Sequence, residues 1–564
     1  MKLKKWFLLL VMGLSLALVL AACGKKDNAS GGDKSGGDKK EEVEQVFNLM
    51  IGDYIPTMDS SKATDQYAFL FLNATMEGLY RLGPEGKIEE GIAKSHEVSE
   101  DGLTWTFHLR DNAKWSNGDP VTAHDFVYAW RRAVDPNTGS EYGPYMMNGV
   151  IKNATAVSSG EKPVEELGVR AEDDYTLVVE LEHPVPYFES LTTFGTFLPL
   201  NQKFVEEKGD QYALSSDDLV YNGPFKLVDW ASTQGEGDEF ALVKNPDYWD
   251  AKSVKLERMN YVIVKDTKTG VDLYNQGKVD RTGLSSDLVD QYASHEDFRV
   301  VPEASVFYLK MNEVRNGEKT PLANKNIRNA IARAINKEEY VNEVLNNGSL
   351  VANGLIPKNF VTVPDSGKDF RDVNGDLITY DPDLAKEYWE KGLQELGVTS
   401  LTIELLGDDG STAKLTGEYF KNQLEKTLPG LTIELKNVPF EQRLEADNKQ
   451  DYELQVAGWG PDYLDPNTFM SLWVTDGGNN KMGYSNPEYD RLIEEAATTY
   501  ALDNAKRYEN FLKAEKILME DAAIAPLYQR QSAYLWSPKL QGVIVNTFGA
   551  DFEYKWAYAA PVED

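Results

Sequence analysis

Residues 401–459 read LTIELLGDDGSTAKLTGEYFKNQLEKTLPGLTIELKNVPFEQRLEADNKQDYELQVAGW. Leu401–Leu406 is an apolar run of strand length. Thr412–Thr427 places Leu415, Tyr419, Phe420 and Leu424 at helical spacing. Leu431–Leu435 reads as a strand, Phe440–Ala446 as a short helix and Glu453–Trp459 as a strand again. Strand, helix, strand, helix, strand predicts a parallel α/β sheet with right-handed crossovers. In such sheets ligands bind beyond the carboxyl ends of the strands. The last strand delivers Gly460-Pro461-Asp462-Tyr463 to that edge, so topology alone makes this loop a candidate site.

Outward from this stretch the chain keeps mixing strands and helices. Thr104–Arg110 alternates with period two, as a half-buried strand does. Asn117-Gly118-Asp119-Pro120 is a turn. Thr122, with Asp125 three residues on, reads as the cap of a helix that Asp135-Pro136 ends. Tyr175–Leu181 is another strand. No stretch beyond the N-terminus approaches the ~20 apolar residues that span a bilayer.

The N-terminus has a layout of its own. Lys2, Lys4 and Lys5 precede an apolar run from Trp6 to Val19. Small residues then lead into Cys23, the one cysteine of the 564 residues. This is the three-part layout of a secretory signal, predicted over 1–22, and it resembles a bacterial lipoprotein lipobox. The resemblance implies that Cys23 becomes a lipid-bearing N-terminus on the cell membrane, facing outward on a Gram-positive-type surface. Residues 23–42, rich in Gly, Ser, Lys and Asp, read as a flexible tether.

The formal charge is −33, and −36 once the three lysines of residues 1–22 are set aside. A chain this acidic has no electrostatic footprint for nucleic acid. With one cysteine no intramolecular disulfide can form. The five histidines, at 96, 108, 124, 183 and 295, have no metal-ligand spacing. Asp372–Asp376 hints at a calcium loop, but Phe370 stands at its first ligand position. No cofactor is expected.

An ordered set of fragments carries a resemblance: LTWTFHLR at 103–110, AKWSNGDPVT at 113–122, DFVYAW at 125–130, PVPYF at 184–188, YNGPF at 221–225, NPDYW at 245–249, AGWGPDY at 457–463 and IAPLY at 524–528. The chain resembles the oligopeptide-binding proteins of bacterial ABC importers, a family that includes dipeptide and nickel binders. The resemblance implies a periplasmic-binding-protein-like α/β fold, with two lobes joined by a hinge and an additional domain. It implies a discontinuous first lobe (43–76, 191–305 and 529–564), an extra domain (77–190) and a second lobe (306–528). It also implies a monomer that captures an oligopeptide and hands it to a membrane permease.

Asp462 matches the family position whose carboxylate takes the peptide's α-amino group; otherwise it is a loop cap before Asp465-Pro466. Trp459 and Tyr463 are by default core aromatics, and Trp459 matches a cleft-lining position. Gly458 and Gly460 would let ligand backbone approach closely. Phe440 and Tyr528 match cleft-lining aromatics. Trp105, Trp115 and Trp130 are better read as core of the extra domain. Some relatives clamp the peptide's C-terminal carboxylate with basic residues. The matching positions here are Val456, Asp447 and Ala413, none basic, so pairing of that carboxylate by another residue stays open.

Two other functions remain in view. A receptor for a signalling peptide would carry the same sequence. A surface peptidase lacks support: there is no His-Glu-x-x-His helix and no Gly-x-Ser-x-Gly elbow.

Overall fold

The computed structural model describes residues 43–562. The signal over 1–22, Cys23 and the tether over 23–42 lie outside the described residues.

The first lobe is built on a four-stranded sheet. Val46–Ile51 runs parallel to Arg258–Ile263, and Glu239–Lys244 and Phe225–Val228 follow antiparallel. Period-two burial turns Phe47, Leu49 and Ile51 inward. The helix Gln66–Thr75 covers that face, where Phe71 meets Phe240 and Tyr261 edge-on. Asp65 caps this helix, its Oδ1 accepting from Ala68 N at 3.0 Å. The lobe is closed by residues far along the chain. Gln45 exchanges two 3.0 Å hydrogen bonds with the backbone of Ala559.

The additional domain is an antiparallel sheet of Ala93–Val98, Thr104–Leu109, Thr176–Glu180 and Val169–Asp173. The helix Ala123–Val134 packs on it, with the expected Thr122/Asp125 capping box. Trp115 and Trp130 are fully buried there, as core residues; Trp105 is half-buried against Phe188.

The second lobe contains the 401–459 unit nearly as read. Strands Leu401–Asp408, Leu431–Val438 and Leu454–Trp459 alternate with helices Ser411–Thr427 and Phe440–Asn448. These three strands are mutually parallel. The sheet as a whole is mixed, which corrects the parallel expectation. Phe298–Met311 and Ile524–Trp536 join it antiparallel, as does Arg281–Leu284 at one edge. The reason lies in their length. Each is long enough to leave one lobe as a strand and enter the other, and because the chain goes out along Phe298–Met311 and returns along Ile524–Trp536 the two run antiparallel. Their pairing is broken between Pro302 and Val306.

Two large apolar cores result, one in the first lobe and additional domain, the other in the second lobe. Tyr145 and Trp459 pack against both. No helix among the described residues is long and apolar enough to cross a membrane.

Candidate functional site

The strand Leu454–Trp459 sets the floor of the site. Its register places Trp459 opposite Val306 and Gly458 opposite Phe307. A Cβ at Gly458 would stand 2.7 Å from the Phe307 ring, so any larger residue would have to push that ring aside. Beyond Trp459 the chain turns into the Gly460–Tyr463 loop and meets the additional domain. Trp459 stacks on Tyr142 at 6.1 Å and meets Tyr145 edge-on at 5.7 Å. The Tyr145 hydroxyl donates to the Thr468 carbonyl at 3.1 Å.

Between these elements lies a cavity of about 710 Å³, within the size range of ligand sites. Gly458, Trp459, Gly460, Asp462 and Phe440 line it together. Tyr463 and Tyr528 do not. Tyr463 turns away to stack on Tyr187 at 4.6 Å, and its hydroxyl accepts from Asn467 at 3.1 Å. Tyr528 lies behind Phe307, stacked on it at 4.8 Å, and Phe307 takes the lining position.

Asp462 is 2% exposed. Its backbone N–H donates to Thr468 Oγ1 at 3.0 Å, while its Oδ2 is buried with no partner. Burial pushes the carboxyl well above the usual carboxylate range, since desolvation disfavours the charged form. The loop is instead held by Asp465, whose carboxylate takes two 3.0 Å hydrogen bonds from Arg507 and a third from Asn467 N. So Asp462 does not cap the loop; the Tyr145 hydroxyl lies close enough to steady its carboxyl, and Oδ2 is left without a partner.

The rest of the lining is strongly polar, and no motif in the sequence points to it. Lys265 pairs with Asp53, Lys310 with Asp447, Arg443 with Asp408 and Arg530 with Glu303. Asp447 and Ala413 line the cavity and Val456 does not. These pairs join residues 35 to 227 positions apart, which only the folded sheet brings together. Three charged lining residues have no ion-pair partner among the described residues: Asp462, Asp65 and Arg281. Trp459 Nε1, Trp473 Nε1 and Asn479 Nδ2, all on lining residues, are also buried without partners. Unmet polar groups concentrated on one cavity mark a place built for a polar ligand.

The family model of the bacterial extracellular solute-binding proteins, family 5 (middle region), matches residues 87–481. The dipeptide-binding protein of Lactococcus lactis subsp. cremoris (strain MG1363) is 36% identical over 97% of this chain and 99% of its own. The structure of Listeria monocytogenes OppA bound to peptide superposes with a TM-score of 0.88. It is 46% identical, covering 92% of this chain and 100% of that one. The pheromone receptor PrgZ, solved for its mode of peptide binding, gives a TM-score of 0.87 at 35% identity, with coverage of 92% and 100%.

Proposed function

The chain belongs to the bacterial extracellular solute-binding proteins, family 5, and from that premise we propose that it captures oligopeptides between its two lobes and delivers them to an ABC permease. One observation carries the reading at this site: a buried carboxylate, Asp462, with no ion-pair partner among the described residues and its Oδ2 unpaired, on the loop where the lobes meet. A peptide's α-ammonium supplies the missing charge, and a charge pair formed away from water is poorly screened. Gly458 and Gly460 admit ligand backbone, while Trp459 and Phe440 offer apolar faces.

Asp462→Asn keeps the shape and removes the charge. Breaking a buried pair costs ~3–5 kcal/mol, so calorimetry should show affinity lower by about two to four decades. N-acetylating the peptide should cost the wild type a similar amount, and the two losses should not add. Unchanged peptide affinity in Asp462→Asn would sink the assignment.

The finer proposals follow from the same premise. The first lobe comprises 43–76, 191–305 and 529–564, the additional domain 77–190 and the second lobe 306–528. The interrupted pairing between Pro302 and Val306 supports a hinge there. Cys23 carries lipid and anchors the chain to the outer face of the cell membrane. The protein acts by binding, without a catalytic step.

A further inference from the structure

Apart from Asp462, the charges left over in the cavity are one acid and one base. Asp65 is 6% exposed and lines the cavity. Its Oδ1 is spent on the helix cap, while its Oδ2 is buried with no donor. The next residue, Gln66, repeats the pattern: its Nε2 donates to the Gly549 carbonyl at 3.3 Å and its Oε1 is buried without a donor. Two neighbouring acceptors, one of them a carboxyl, call for a group made only of donors. Ammonium and guanidinium are such groups.

Arg281 is the converse case. It is 7% exposed and lines the cavity. Its Nη2 donates to the Tyr554 hydroxyl at 3.2 Å, and its Nη1 is buried without an acceptor. The guanidinium sits 4.0 Å from the Phe552 ring centre and 5.0 Å from that of Trp536. Aromatic faces stabilise such a cation without neutralising it. Asp551 lines the cavity too, but its carboxylate stands 3.5 Å from Arg530.

We infer that the cavity selects peptides by charge beyond their α-amino group, Asp65 and Gln66 receiving a Lys or Arg side chain and Arg281 receiving a carboxylate. This deepens the peptide-binding reading and rests on it. The carboxylate comes from the ligand's C-terminus or from an acidic side chain. Position bears on which. Arg281 pairs with Trp536, whereas Trp459 lies level, through Val306, with Gln529, seven residues back on the same strand. That is ~23 Å of extended chain. A ligand touching Asp462 and Arg281 together is therefore several residues long. The net charge of −33 also favours the approach of cationic peptides.

Calorimetry on the wild type decides, with peptides of about seven residues built from Gly, Ala and Leu. One arm carries a single Lys or its uncharged isostere norleucine. A second carries a single Glu or Gln. A third has a free or amidated C-terminus. Norleucine for Lys should weaken binding by about 10- to 100-fold, and loss of the recognised carboxylate by a similar factor. The second and third arms tell its two sources apart. In Asp65→Asn, which keeps a good helix cap, the Lys and norleucine peptides should bind alike. In Arg281→Gln the acid and its neutral partner should bind alike, and Arg281→Lys should recover part of the difference. Wild-type affinities equal within about twofold across all three arms overturn the inference while leaving peptide binding intact. A dependence that survives in its matching variant overturns that residue's role. If no peptide of the series binds, the functional reading itself falls.

Discussion

Lys265 of the first lobe reaches Asp409 of the second, Nζ to Oδ1, across 3.1 Å. The same ammonium stands 3.1 Å from Asp53 in its own lobe. Opening the lobes would break the first pair and keep the second, so the bridge to Asp409 is present only when the lobes are together.

Asp409→Asn should therefore favour the open form. The pair is partly exposed, and such pairs contribute about 0.5–1 kcal/mol. Peptide dissociation constants should rise about two- to fivefold. Small-angle scattering should show the wild type shrinking on binding peptide, with the variant larger when unliganded. Identical profiles with and without bound peptide would count against closure as such.

Binding should release protons. Burial raises Asp65 to about 6 and Asp462 well above the usual range. A carboxyl raised in the fold keeps a proton that the unfolded chain has already lost. Its contribution to stability is thus present at low pH and falls as pH rises from about 4 toward the raised value. A ligand cation favours the ionised form and drives the proton off. Calorimetry near pH 6 in buffers of different ionisation enthalpy should report that release. A buffer-independent heat would mean these carboxyls do not meet a ligand cation.

Gly458→Ala should damage the site. The added methyl meets the Phe307 ring at 2.7 Å, and Phe307 is backed by Tyr528. Overpacking of this kind costs ~1–3 kcal/mol. Thermal unfolding should detect the loss, and peptide affinity should fall with it. A variant of wild-type stability and affinity would show that the Phe307–Tyr528 stack yields freely.

Cys23→Ser tests the anchor. The variant should leave the membrane fraction or stay unprocessed. If it fractionates with membranes as mature, processed chain, Cys23 is not the point of attachment.

What was legible in the sequence was local. The 401–459 alternation, the Thr122/Asp125 cap and the Gly458–Asp462 edge each depend on neighbours a few residues apart, and each appears in the fold. Tyr463 and Tyr528 were harder. Aromatic type and position did not tell which face of the ring would meet solvent, and Tyr187 and Phe307 decided that. The charged lining was out of reach. Lys310 finds Asp447 137 residues on, and Arg530 finds Glu303 227 residues back. The mixed sheet was missed for the same reason, since Phe298–Met311 and Ile524–Trp536 pair across more than two hundred residues.

The double hydrogen bond between Gln45 and Ala559 also sets a timetable. The two residues are 514 positions apart. At about 5–20 residues per second of synthesis, Gln45 waits roughly half a minute to two minutes for its partner to be made. Until then the edge strand Val46–Ile51 has none of the late-made chain that closes the lobe around it. A lobe wired this way cannot complete its packing until nearly the whole chain has been made.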